Sequence, residues 1–304
     1  MGPVPDLLTE ALSRRPPPIL YHYTTQVGLL GILKSRELWA THTQYLNDRQ
    51  EYLQAADGVK AEIAKRLANS SGEHQRILLD MQAGIAGIES MNVCVCSFSE
   101  DGDSLSQWRA YGGPSSAFAI GFKSNELRAI ATSENSYLAP CRYREEEHQE
   151  VISTLITEIV ERNGRRLCVG EQLIEDDFTK QFERVLAEDI KLLTPRGGDL
   201  GALLHRFGPL IKHESFFAEK EWRIITRPLA CTLERFGFRE GRSMLIPYYG
   251  LQLSKSDGQM PIEEILVGPT PNMERSCGAV KGLLFKHDLK DVEITPSKVP
   301  YRNW

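Results

Sequence analysis

The sequence predicts a mixed α+β fold in a single domain, and three observations lead there. Strand-like aromatic and apolar segments stand near both ends of the chain. A long stretch of helical periodicity lies between them. Cutting the chain in two would leave each half without a complete sheet, so one sheet with a helical elaboration is the simpler architecture.

Taken in order, residues 6–14 read as a short helix closed by Pro16, Pro17 and Pro18, making 1–18 a helix and linker ahead of a domain over 19–304. Ile19 to Thr24 reads as a strand, and Thr24 or Thr25 as the cap of a helix to Ser35 with Val27, Leu29, Leu30 and Leu33 on its inner side. A short strand follows near Leu38 to Ala40. Two helical stretches reach to about Ser90, interrupted at Asn69 to Gly72. Asn92 to Ser99 and Ser116 to Phe122 are strand-like, joined by a loop carrying Asp103, Ser104, Ser106, Trp108 and Tyr111. Tyr137 to Tyr143 is a third candidate strand. Helical periodicity covers an insert of about 145–212, with breaks at Asn163-Gly164 and near Pro195. Strands return at Glu221 to Thr226, Ser243 to Pro247 and Glu263 to Val267, before a last helix and a strand at Asp291 to Thr295.

The bulk numbers narrow the function. The chain has 304 residues, 41% hydrophobic and 25% charged, with a formal net charge of -5. That is globular and not disordered, and its overall field does not attract a polyanion. The six cysteines form no C-x-x-C pair, and Cys94 and Cys96 alternate inside an apolar run. Reduced core thiols are expected and a metal site is not. With no apolar leader and no membrane-length run visible, the expectation is a cytoplasmic protein without a membrane partner.

Three islands could carry chemistry. In Tyr21-His22-Tyr23-Thr24, strand alternation puts His22 and Thr24 on one face and both tyrosines on the other. Ser104 to Gly113 offers small hydroxyls and two aromatics before an apolar strand, a platform on which a flat ring could stack. Phe216 to Ile225 places Glu219, Glu221 and Arg223 on one strand face, where carboxylates are costly to bury unless paired. Each island has a plainer reading: a core histidine, an aromatic cluster at a sheet edge, and a salt bridge from Glu221 to Arg223 or Lys220. Asn47 and Asp48 with Glu51 fit a helix cap and capping box without any ligand, although they could also border a pocket. Ser297 and Arg302 could clamp a phosphate or pin the C-terminal segment to the sheet.

Together the islands resemble a bacterial family of uncharacterised proteins with Y-H-Y-T, N-D-x-x-E, C-x-F-S, W-x-x-Y-G, E-K-E-W-R and P-Y-R motifs. Here these are Tyr21 to Thr24, Asn47-Asp48 with Glu51, Cys96 to Ser99, Trp108 with Tyr111, Glu219 to Arg223, and Pro300 to Arg302. Through the same islands the chain resembles the ADP-ribosyltransferase superfamily, in its histidine, tyrosine, glutamate class. That resemblance implies a split mixed β-sheet core and an NAD-type pocket. It implies catalytic roles for Glu221, His22 and Trp108, with His22 on a ribose hydroxyl and Trp108 or Tyr111 as the stacking aromatic. Tyr21, Thr24, Ser104, Ser106, Tyr111, Glu219 and Arg223 would complete the NAD-binding set, without a metal.

Cleaving the bond between nicotinamide and ribose passes through an oxocarbenium-like state. A carboxylate bonded to the ribose 2′-hydroxyl gains strength as positive charge develops, which is the differential binding catalysis requires. Nicotinamide leaves without protonation at the scissile bond, so one glutamate is sufficient. The expected function is therefore an NAD-consuming ADP-ribosyltransferase or NAD glycohydrolase. The acceptor would be a protein, a nucleic acid or water, and the resemblance implies a toxin or phage-defence setting. The helical insert is a place for acceptor recognition or for self-association. The alternative is a non-catalytic module that senses a nucleotide on the same fold.

Overall fold

A computed structural model describes residues 15–46, 49–84, 92–111, 117–168, 208–253 and 258–301. The strands are β1 (Ile19–Thr25), β2 (Glu37–His42), β3 (Cys94–Ser99), β4 (Ala117–Lys123), β5 (Tyr137–Pro140), β6 (Glu221–Ile225), β7 (Phe236–Glu240), β8 (Leu245–Gln252), β9 (Ile262–Val267) and β10 (Glu293–Pro296). The helices are α1 (Gln26–Ser35), α2 (Arg49–Leu67), α3 (Gly72–Gly84), α4 (Leu105–Tyr111), α5 (Ser124–Ser133), α6 (Glu145–Cys168) and α7 (Met273–Lys286). The result is a mixed α+β fold built on one open sheet. Among the described residues no helix is long and apolar enough to cross a membrane.

The sheet order is β10-β9-β4-β1-β3-β2-β8-β7, with β6 paired to β3 and β5 paired to β6. All pairings are antiparallel except β9 with β10. The sheet forks at β3. Along one side β3 pairs with β6 from Val95 to Ser99. Its other partners split between the two ends, with β2 meeting Cys94 and Val95 and β1 meeting only Ser99. Between those contacts β1 and β2 diverge into separate wings.

Three of the apolar clusters bear most directly on this arrangement. The main core includes Leu20, Phe98, Phe118, Phe122, Trp222 and Ile224, packed with α1, α5 and α7. A second, helical core joins α2, α3 and α6 through Val59, Ile63, Leu78, Met81, Ile152 and Ile156. A third groups Tyr23, Trp108, Ala117, Ala119 and Leu266 on the opposite face of the β1 wing. The central strand β4 is buried from Ala117 to Phe122, and its uninterrupted apolar sequence suits a strand covered on both faces.

Several elements differ from expectation. Thr25 caps α1, its hydroxyl accepting from the Gly28 amide, but the buried residues are Leu29, Ile32 and Leu33. Val27 is 79% exposed and Leu30 is 53% exposed. The helix is apolar nearly all round, so periodicity alone could not choose its inner face. Residues 105–111 form a helical turn where a loop was expected, α6 runs unbroken through Asn163-Gly164, and β5 ends at Pro140. Helix α5 and strand β7 had no counterpart in the sequence reading, and β8 extends to Gln252. The N-terminal helix over 6–14, the Asn47-Asp48 cap with the Glu51 side chain, the insert over 169–207 and Arg302 lie outside the described residues.

Candidate functional site

A small cleft opens at the fork between β1 and β3. It is lined by Tyr21, His22 and Tyr23 from β1, Ser97 to Ser99 from β3, Gln107 and Tyr111 from α4, and Glu219 with Glu221 at the start of β6. All three predicted islands therefore contribute to one concavity. Its enclosed room is about 50 Å³. On a scale where one water needs roughly 10–15 Å³, that accommodates one small planar group and not a whole dinucleotide.

Sheet register sorts the lining residues by face. Tyr21 pairs with Ser99, and Ser99 pairs with Glu221, so these three side chains stand in one row on one face. His22 falls in the next row and faces the other way, its ring 5.8 Å from Phe98. The imidazole Nδ1 lies 3.0 Å from the Ser97 carbonyl oxygen, spanning the gap where β1 leaves β3. His22 and Glu221 thus border the same cleft from opposite faces of the sheet. Burial lowers the His22 pKa, against a smaller upward pull from the Ser97 carbonyl, so the ring is neutral at pH 7.

Glu221 is buried at the centre of a charge network. Arg223 Nε donates to its Oε1 at 2.8 Å and Arg223 Nη2 to its Oε2 at 3.0 Å. Lys212 Nζ donates to Glu221 Oε2 and to Glu219 Oε2, each at 2.5 Å. Among the described residues the network sets two cations against two carboxylates, which makes burial of the group tolerable. Burial by itself would raise the Glu221 pKa, but Arg223 and Lys212 outweigh it and bring it down to about 2. Burial works against the Lys212 charge, and Glu221 restores it, leaving the ammonium firmly protonated. The Glu221 backbone N–H donates to Tyr143 Oη at 2.7 Å.

Local backbone explains how two carboxylates reach one lysine. The strand begins at Glu221 as expected, but Glu219, expected to share its face by strand alternation, lies in the turn before it. Residues Glu214–Glu219 form a 3-10 turn closed by Lys220, which adopts the left-handed region at φ 44°. That conformation costs a non-glycine residue energy, and the charge network on either side offsets it. Lys212 is placed by a short bridge in which its amide donates to the Arg142 carbonyl and the Arg142 amide to Leu210. Lys212, and not Lys220, is the lysine partner of Glu221.

The α4 wall is built from packing. Trp108 is 1% exposed, lies edge-on to Tyr23 at 4.7 Å, and donates its indole N–H to Asp103 Oδ1 at 2.8 Å. Its expected role as a stacking surface is therefore corrected, because no face of the indole reaches the cleft. Tyr111 is 43% exposed, lines the cleft and stacks on Tyr23 at 6.5 Å, so it is the aromatic that a ligand ring can meet. Asp103 also accepts from Ser297 Oγ and from the Lys298 amide, which ties the C-terminal segment to this wall. Ser297 is thus a structural pin.

Besides Trp108, four expected ligand-binding residues stand outside the lining. Thr24 packs its hydroxyl against Gly28, a position where any added side chain would collide. Ser104 and Ser106 bond to each other at 2.9 Å on the surface, while the Ser104 amide donates to Tyr23 Oη. Arg223 acts through Glu221 from farther along the same strand face, where its Nη1 also donates to the Pro209 carbonyl. Conversely, Gln107, Lys212 and Tyr143 were not anticipated. Reading 105–111 as a helix would have revealed Gln107 one turn from Tyr111, whereas no local pattern announces Lys212.

Comparison with known proteins gives a match over part of the chain and no activity. Residues 107–224 match a family described as protein of unknown function (DUF2971). The match begins at Gln107 in α4 and ends within β6, so it takes in both α4 and the Glu219 to Arg223 segment. No curated protein matches the chain.

Proposed function

We propose that the cleft binds the nicotinamide end of NAD and that Glu221 promotes cleavage of the bond between nicotinamide and ribose. The observation that carries this reading is the meeting of Glu221, Tyr111 and the His22 segment at one fork in the sheet. Glu221 is ionised across the physiological range, as a group stabilising an oxocarbenium-like state must be. Among the described residues its Oε1 accepts one hydrogen bond, from Arg223 Nε, which leaves a lone pair for a ribose hydroxyl. Arg223 and Lys212 fix the carboxylate's orientation without touching the reacting atoms. The enclosed room suits the nicotinamide ring, with the remainder of the dinucleotide in the open mouth beyond Tyr111. The split sheet expected of an ADP-ribosyltransferase-like core is in keeping with the fork at β3, and this finer assignment belongs to the same proposal.

A second reading, a nucleotide sensor without turnover, is favoured by one observation. Lys212 and Arg223 already neutralise Glu221, which weakens its pull on a developing cation. Nicotinamide release from NAD by the purified chain, with and without cell extract as a source of acceptors, separates the two. Release that disappears in a folded Glu221→Gln variant supports cleavage. Binding without release, unchanged by Glu221→Gln, supports the sensor.

A further inference from the structure

The polar groups around the cleft divide into those already engaged and those available. Tyr21 Oη donates to Glu264, Tyr23 Oη donates to the Asp101 carbonyl, and Ser99 Oγ donates to the Glu219 carbonyl. Gln107 differs. It is only 6% exposed, lines the cleft, and makes no hydrogen bond to any described residue. An amide buried with neither a protein partner nor water costs on the order of 1–3 kcal/mol, so its polar end must reach open space. The open space beside it is the cleft. Gln107 also precedes Tyr111 by four residues on α4, so the two stand one turn apart on the same side of the helix.

We infer that Gln107 is the specificity-determining residue of the cleft, pairing its side-chain amide edge-on with the carboxamide of a planar ring that stacks on Tyr111. This rests on the NAD reading above and sharpens it. A primary amide presents one acceptor and two donors, and a carboxamide presents the same set, so the two close a cyclic pair. A carboxylate in the carboxamide's place keeps the acceptors and loses the donor that the Gln107 oxygen needs. The adenine edge also offers a donor beside an acceptor, and the experiment must tell the two rings apart.

Calorimetry with the full chain would compare NAD, nicotinic acid adenine dinucleotide and ADP-ribose, which keeps adenine and lacks nicotinamide. Wild type is expected to prefer NAD over the carboxylate analogue by about tenfold or more, the scale of one well-made hydrogen bond. Gln107→Leu should bring that preference to within about twofold, whereas Gln107→Glu, which keeps the shape and offers only acceptors, should retain or raise it, because its carboxylate accepts from a carboxamide and repels a carboxylate. ADP-ribose affinity and the thermal midpoint should remain as in wild type. Persistence of the preference in folded Gln107→Leu, or no preference in wild type, overturns the role of Gln107 and leaves the NAD reading standing. Parallel loss of NAD and ADP-ribose affinity in that variant assigns the amide to adenine and overturns the carboxamide. Absence of NAD binding by wild type overturns both readings together.

Discussion

The two walls of the cleft are held by different physics. The β6 wall depends on buried ions, Lys212 and Arg223 around Glu219 and Glu221. The α4 wall depends on aromatic burial, with Trp108 and Tyr23 packed together and Asp103 tying the turn to the C-terminal segment. Ionic walls are directional and respond to pH, because each charge is tolerable only while its partner is charged. Packed walls are indifferent to mild pH change and sensitive to shape. A site combining both can hold a carboxylate in one orientation while a neutral surface receives a flat ring.

The largest expected effect breaks the ionic wall. Arg223→Leu leaves Glu221 with Lys212 alone and the Pro209 carbonyl without its donor, and should destabilise the fold by about 3–5 kcal/mol in urea unfolding. A cost below about 1 kcal/mol would mean the network contributes little and both walls rest on packing. Breaking the packed wall should cost less if done gently. Trp108→Phe retains an aromatic but removes the indole donor to Asp103, with an expected loss of about 1–3 kcal/mol on the same assay.

A pH series sharpens the contrast. The Glu221 pKa is depressed from 4.5 to about 2 in the folded chain. Its stabilising contribution is therefore complete above about 4.5 and is lost as pH falls toward 2. His22 and His42 have pKa values lowered from 6.5, chiefly by burial, so their contribution is present above 6.5 and is lost as pH falls below it. Stability should thus decline in two limbs, one beginning near 6.5 and one near 4.5. Glu221→Gln should weaken only the lower limb, and His22→Gln the upper. A single limb untouched by either substitution would break this assignment.

Tyr111→Ala sits at the small end for stability, since the ring is exposed and forms neither wall's core. A change within about 0.5 kcal/mol is expected, alongside weaker binding of NAD by about fivefold or more if the ring stacks on a ligand. Equal binding by the variant would remove Tyr111 from the site.

Much of the fold was legible because its signals are local. The Ile19 strand, the Thr25 cap, the apolar β4 run and the Glu221 strand are set by alternation, capping chemistry and burial periodicity within short windows. Helix α5 was missed although it has a clear apolar face at Leu127, Ile130 and Ala131, and strand β7 because only Phe236 along it is buried, leaving no alternation to read. The Trp108 assignment failed because composition cannot distinguish a buried aromatic from an exposed one, and the α4 turn rotates Trp108 inward and Tyr111 outward.

By itself, then, the sequence determined most of the segments that become strands and helices and the three islands that bear polar chemistry, since those properties follow from neighbours along the chain. Only the tertiary structure decided that Lys212 joins Glu219 and Glu221, that His22 borders the cleft from the opposite sheet face, and that the Gln107 amide has no hydrogen-bond partner among the described residues. These depend on register, on the fork at β3 and on a left-handed turn at Lys220. Such features arise from the packing of distant segments, where burial and charge pairing are settled only when the whole sheet is assembled.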